Sequence, residues 1–215
     1  MCTHSIYELY LVNPKSFPDQ RAHEMAAGAD DLLEQARVVA SLDEALAGCE
    51  LILATSARPR GISLPGLIPV DAAALVCEQA DDTEVAIVFG REHAGLTNEE
   101  LLRCHYHIHI PSNPEYSSLN LSQAVQIVAY ELRVAAISSH PGQHTQTERY
   151  ATAKELQLFY DHFEKVLVET NFQDPDKPGR VMTRLKRLFN RSRPEAQEIN
   201  ILRGILTTIQ KKYTA

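Results

Sequence analysis

Several common protein classes are marked by features that this sequence lacks. Its four cysteines, at positions 2, 49, 77 and 104, form no Cys-x-x-Cys pair. That argues against a disulfide framework or a zinc ribbon and fits a reducing cytosol. No apolar run approaches the roughly 20 residues that a membrane-spanning helix needs. The first five residues, Met1 to Ser5, lack the basic-then-apolar order of a secretory signal. None of the nine glycines falls into Gly-x-Gly-x-x-Gly, so the dinucleotide fingerprint is absent. Gly90 and Gly95 have P-loop spacing, but Leu96 stands where a lysine must reach the phosphates. No Gly-x-Ser-x-Gly elbow occurs, which argues against an α/β hydrolase. Positive charge is also scarce: the net charge of the 215 residues is −7, which alone argues against a nucleic-acid partner.

That total hides an asymmetry. Residues 1–140 hold 8 Lys and Arg against 19 Asp and Glu, a net of −11. Residues 141–215 hold 13 against 9, a net of +4. Seven basic residues and no acidic one lie between Lys177 and Arg193. A basic run on an otherwise acidic chain is either a nucleic-acid-binding appendage or a solvated helix face.

Apolar patterning divides the chain in the same place. Residues 6–12, 51–55, 85–90 and 106–110 read as strands, those at 51–55 and 85–90 as buried ones. Helices are expected after the capping boxes Ser41-x-x-Glu44 and Thr97-x-x-Glu100, over 71–79, and over 121–137. Such alternation predicts an α/β fold, a parallel sheet with helices on both faces. Residues 138–148 are a polar linker with a Pro-Gly break. Beyond it, 149–215 is expected to be a small α-helical tail. Leu156, Phe159, Tyr160, Phe163, Val166 and Leu167 make one apolar stripe, and Val181, Met182, Leu185, Leu188 and Phe189 a second. A box at Ser192-x-x-Glu195 would start the last helix, with Ile199, Leu202, Ile205, Leu206 and Ile209 facing the core.

His105, His107 and His109 alternate and would share one face of a strand. One strand face supplies too little spread of ligand directions for a tetrahedral metal, so no metal site is expected. More informative are the turns that follow three strands: Thr55-Ser56-Ala57, residues 89–97, and residues 110–122. Ligands of parallel sheets bind outside the carboxyl ends of strands. Backbone amides and small hydroxyls gathered there suit an adenosine-like ligand better than a polyphosphate.

At these turns the chain resembles the SpoU branch of the knotted RNA ribose methyltransferases. Phe89-Gly-Arg-Glu-x-x-Gly-Leu96 is similar to that family's second motif, and Ile110-Pro with Ser118-Leu-Asn-Leu-Ser122 to its third. Finer features resemble the members that methylate the ribose 2′-OH of tRNA nucleotide 32: Leu11-Val-Asn-Pro14, Thr55-Ser-Ala-Arg58 and Asn113-Pro-Glu-Tyr-Ser-Ser-Leu-Asn120. The resemblance implies a methyltransferase domain over 1–137 with a trefoil knot near its C-terminal end. It also implies S-adenosylmethionine as cofactor, a homodimer, a cytoplasmic location and no membrane. Thr55, Ser56, Ala57, Gly90, Ile110, Ser117, Ser118 and Leu119 would line the cofactor. Glu92, Ser118 and Asn120 match positions linked to the active site. For the RNA, Arg58, Arg60 and Arg91 lie near the pocket, and Arg180, Arg184, Lys186 and Arg187 on the tail. Tyr116 is a base-stacking candidate.

The family's first motif, an Asn-Ile-Gly-like turn and a helix with an arginine, would precede the strand at 6–12. Two expectations follow: a true start upstream of Met1, or a truncated form without activity. Methylation of ribosomal RNA and a non-catalytic RNA- or cofactor-binding remnant are the alternative functions.

Overall fold

The computed structural model of the chain describes residues 8–56, 64–79, 82–113, 115, 119–138, 149–177 and 179–213. Its centre is a four-stranded parallel sheet. β3 (Leu51–Thr55) is paired on one side with β5 (Val85–Val88) and on the other with β6 (Tyr106–Ile108), and β6 continues to β4 (Gly66–Leu67). β1 (Tyr10–Val12) and β2 (Arg37–Val39) form a separate parallel pair. Short helices α1 (Gln20–Met25) and α2 (Asp30–Glu34) connect them.

Side chains of β3 alternate between two cores, as the period of a strand requires. Leu51 and Leu53 pack with Ala72, Ala73 and Val76 of α4 (Pro69–Cys77) and with Val128 and Leu132 of α6 (Leu121–Ser138). Ile52 and Ala54 pack with Leu46 of α3 (Leu42–Leu46) and with Leu96, Cys104 and Leu101, the last on α5 (Asn98–Leu101). The expected arrangement, a parallel sheet with helices on both faces, is therefore present. Burial raises the thiol pKa of Cys104 to about 12 and, with nearby carboxylates, that of Cys49 to about 11. Both therefore stay protonated thiols at neutral pH.

The tail consists of α7 (Ala153–Glu169), α8 (Val181–Ser192) and α9 (Ala196–Tyr213) around Phe159, Tyr160, Met182, Ile199 and Leu206. Thr152 and Glu155 make a full capping box at the start of α7. Arg149 clamps the Glu155 carboxylate with both Nη groups and, with the Thr152 bonds, holds its pKa at about 2.

Several expectations need correction. The run at 85–90 is less buried than expected: among the described residues β5 pairs with β3 alone, at the edge of the sheet, and its residues are half-buried. β6 ends at Ile108 rather than 110, and α4 begins at Pro69, a proline placed where its missing N–H costs no helix bond. Ser192 does not open a helix. It is the last residue of α8 and donates to the Phe189 carbonyl, while Arg193 turns left-handed (φ 45°) and α9 starts only at Ala196. Leu188 and Ile205 face solvent. They lie on the rims of their apolar stripes, where the packing partner ends.

The alternating histidines support the scaffold. His105 is buried; its N–H donates to the Ile52 carbonyl (2.8 Å), and its Nδ1 accepts the Ile52 N–H (2.9 Å). The ring thus continues the β3 ladder where β6 has not yet begun. Burial, reinforced by the charge of Arg193, lowers its pKa from the ordinary 6.5 to about 3. The unfolded chain then binds the proton more readily than the fold does, so the contribution of His105 to stability falls as pH drops below 6.5 towards 3 and is constant above. Replacing His105 by Leu strands a buried N–H and should cost about 1–3 kcal/mol at pH 7. It should also flatten the acid slope between pH 6 and 4. Urea unfolding of both proteins at these pH values measures both effects.

Candidate cofactor and RNA site

Because β3, β5 and β6 are parallel, their carboxyl ends emerge together, and three short contacts fasten them. The Thr55 hydroxyl donates to the Val88 carbonyl at 3.1 Å. The Ser56 N–H donates to the Ile108 carbonyl at 3.3 Å. His107 Nε2 lies 2.9 Å from the Ser56 carbonyl and donates to it. Thr55, Ser56, Gly90 and Ile110, at or just after these strand ends, are half-buried, as is Leu119 farther along the chain. None carries a charge.

The loop after β5 is tightly drawn. Arg91 and Gly95 form an antiparallel bridge, with the Gly95 N–H 2.7 Å from the Arg91 carbonyl. A Cβ at Gly90 would stand 2.4 Å from the Gly95 carbonyl carbon and 2.5 Å from the Leu96 nitrogen. Those are main-chain atoms, so nothing can swing aside. Gly95 itself has φ +62°, a conformation in which glycine is unstrained. Leu96, which replaces the P-loop lysine, is buried in the core beneath the loop. At the loop's far end Thr97 and Glu100 form the expected capping box. The Glu100 carboxylate also takes both Nη groups of Arg91, at 3.1 and 2.9 Å. Burial acts to raise the Glu100 pKa, but these bonds outweigh it and keep the carboxyl below its ordinary range.

Of the residues expected at the active site, Glu92 is exposed in the turn between Arg91 and Gly95. Asn120 is exposed at the start of α6, where its Oδ1 accepts from the Ser122 N–H and hydroxyl, each at 2.9 Å. It therefore caps the helix in this state. Ala57, Arg58, Arg60, Tyr116, Ser117 and Ser118 lie outside the described residues, as does the linker over 139–148.

The tail's basic residues separate into two sets. Arg184, Arg187 and Arg191 share one face of α8 at i, i+3 and i+7, with Arg180 one turn earlier at its cap. From Arg180 to Arg191 this row is about 16 Å long. Lys186 leaves the row. It turns inward, with Nζ 5.6 Å from the centre of the Tyr160 ring. Position in the basic run could not show this, because helical phase decides it.

Comparison with known proteins identifies the family. Residues 1–130 match the SpoU rRNA Methylase family, and residues 154–215 match the C-terminal domain of the tRNA methyltransferase TrmJ. The chain belongs to the SpoU methylase family. It is 50% identical over 215 residues to the tRNA (cytidine/uridine-2′-O-)-methyltransferase TrmJ of Pectobacterium atrosepticum, covering 99% of this chain and 89% of that protein. Identity to TrmJ of Cronobacter sakazakii is 49%, with 98% and 87% covered. Among solved structures, TrmJ of Z. mobilis superposes with a TM-score of 0.81 at 35% identity, covering 94% of this chain and 86% of that one.

The Gly90 geometry gives a sharp expectation. Gly90→Ala should push the 90–96 loop off the end of β5 and destabilise the protein by about 1–3 kcal/mol. It should also weaken S-adenosylhomocysteine binding at least tenfold. Thermal melts with calorimetric titration measure both, and unchanged binding would contradict the placement of the site.

Proposed function

We propose that this protein transfers a methyl group from S-adenosylmethionine to a ribose 2′-OH of tRNA, at nucleotide 32 of the anticodon loop. The observation that carries this reading is the joining of two parts in one chain. Uncharged, half-buried residues follow the carboxyl ends of β3, β5 and β6, and a helical tail that matches the C-terminal domain of TrmJ carries an arginine row.

The residues at these strand ends fit the cofactor chemically. Uncharged Thr55, Ser56, Gly90, Ile110 and Leu119 suit a nucleoside, with backbone groups left to read its base. The bound cofactor would supply an electrophilic methyl on a cationic sulfur. The chain's own residues must then hold the RNA ribose in line and accept the proton that its 2′-OH loses. In this reading Glu92, exposed beside Arg91, receives that proton directly or through water. Asn120 can reorient from its helix cap to hold the ribose, and Ser118 belongs to the same set by motif. Ala57, Ser117 and Ser118 complete the cofactor contacts in this reading. Arg58, Arg60 and Arg91 receive phosphates near these strand ends. Release of Arg91 from Glu100 is then part of RNA binding.

The division into a methyltransferase domain over 1–137, a linker over 138–148 and an RNA-binding tail over 149–215 belongs to the same proposal. So does a trefoil knot near residue 120; it is supported by the insertion of β6 between β3 and β4 and the return of α6 onto α4. No helix among the described residues is long and apolar enough to cross a membrane, and a tRNA substrate implies the cytoplasm. A homodimer is supported by α6, where Ile127, Tyr130, Val134 and Ile137 make an apolar row away from the core; Ile137 is 69% exposed. Tyr130→Glu with Ile137→Glu should convert the dimer to a monomer in sedimentation analysis.

Labelled methyl from S-adenosylmethionine should enter unmodified tRNA transcripts and map to the ribose of nucleotide 32. Label in ribosomal RNA alone, or in neither, would contradict the proposal. Replacing Arg180, Arg184 and Arg191 with Gln should weaken tRNA binding and reduce the slope of log K against log salt by about 2, given a contribution near 0.7 per phosphate contact. An unchanged slope would remove the row from the interface.

A further inference from the structure

Among the described residues the tail meets the sheet through both main-chain and side-chain contacts. The Ala153 N–H donates to the Cys49 carbonyl at 2.9 Å, and the Lys154 N–H to the Ala47 carbonyl at 3.3 Å. Between α3, α5, α7 and α8 lies a cavity of about 560 Å³, lined by Asp43, Leu102, His105, Lys186 and Asn190 among others. A junction with such a gap is not a continuous apolar seam. Polar contacts at its margin join the apolar packing of Ala153 in holding α8 against the sheet.

Asn190 is the contact that spans it. Only 3% of this residue is exposed, although an amide is costly to bury unpaired. Both ends of the amide are satisfied. Its Nδ2 donates to the Leu102 carbonyl at 2.6 Å, and its Oδ1 accepts the Tyr160 hydroxyl at 2.6 Å. Leu102 is the C-cap of α5. The same short helix begins at the Thr97–Glu100 box, and its Glu100 holds Arg91 in the candidate site loop. A hydrogen-bonded path thus runs from α8 through α5 to the loop at 90–96. The arginine row lies on the same α8. A second strut enters beside it: Arg193, stacked 4.1 Å over the Tyr150 ring, donates from Nη2 to Gln79 Oε1 at 2.9 Å.

We propose that Asn190 is a positioning residue that couples the arginine row of α8 to the loop at 90–96, so that RNA held by the tail is in register with the methyl donor. This rests on the functional reading given above. The coupling predicts a particular split: each ligand still binds, but transfer fails because the two are misaligned.

The test uses the full chain with Asn190→Leu and the near-isosteric Asn190→Asp, which keeps the acceptor for Tyr160 and places an oxygen against the Leu102 carbonyl. Amide exchange at 89–104 should quicken at least tenfold in both, with 156–167 in α7 unchanged. Affinities for S-adenosylhomocysteine and for tRNA should stay within about threefold. The single-turnover rate of methyl transfer at saturating concentrations should fall at least tenfold. An unchanged rate in a folded variant overturns the proposal. So does a rate loss matched by loss of either affinity, because Asn190 would then support one site rather than align two. If the unaltered chain methylates no tRNA, the functional reading fails, and the exchange arm alone decides the coupling: unchanged exchange at 89–104 sinks it, and faster exchange confined there sustains it.

Discussion

β3 is covered on both faces and paired on both edges, and every loop of the candidate site hangs from an element packed on it. Leu51, Ile52, Leu53 and Ala54 are wholly buried. Two layers of helices must therefore exist, and α4 with α6 and α3 with α5 supply them. Parallel pairing with β5 and β6 then brings three strand ends to one side. The Thr55 hydroxyl and the Ser56 N–H each reach across to a neighbouring strand, so the ends are pinned rather than merely adjacent. The site follows from the burial of one five-residue strand.

The next constraint is a close approach of backbone to backbone. Gly90 lies against Gly95 and Leu96 with no room for a methyl group, and the loop between them projects Arg91 and Glu92 outward. Leu96 anchors the loop from below and the Thr97–Glu100 box anchors its exit. Arg91 and Glu92 are thus presented on a short loop with both feet fixed, a geometry that would limit the ordering a ligand must impose. Charge is divided in a complementary way. Residues 1–140 carry a net charge of −11, the named residues after β3 and β6 are uncharged, and α8 carries the arginine row.

Local signals were legible in the sequence. The boxes at Ser41 and Thr97 cap α3 and α5, although the Glu44 carboxylate takes the N–H of Ala40 rather than that of Ser41. The glycine pair at 90 and 95 marked the tight loop. What depended on distant partners was not legible. Val85–Val88 is as apolar as a buried strand, and only its pairing among the described residues shows it at an edge. The Ser192 box matches the pattern of a helix start, yet the chain there is still finishing α8. β2 and β4 are too short to display a period. The histidine alternation was visible, but its meaning lies in the Ile52 and Ser56 backbone, some fifty residues away. Asn190 gave no signal at all, because an asparagine in a helix takes its role from the carbonyl it meets.

A crystal structure of the chain with S-adenosylhomocysteine tests the central claim most directly, since it locates the ligand without relying on turnover. The account predicts the nucleoside at the carboxyl ends of β3, β5 and β6, touching Gly90, Ile110 and Leu119, with its sulfur towards Glu92 and Asn120. A ligand seated elsewhere, such as the cavity between α3, α5, α7 and α8, would contradict it.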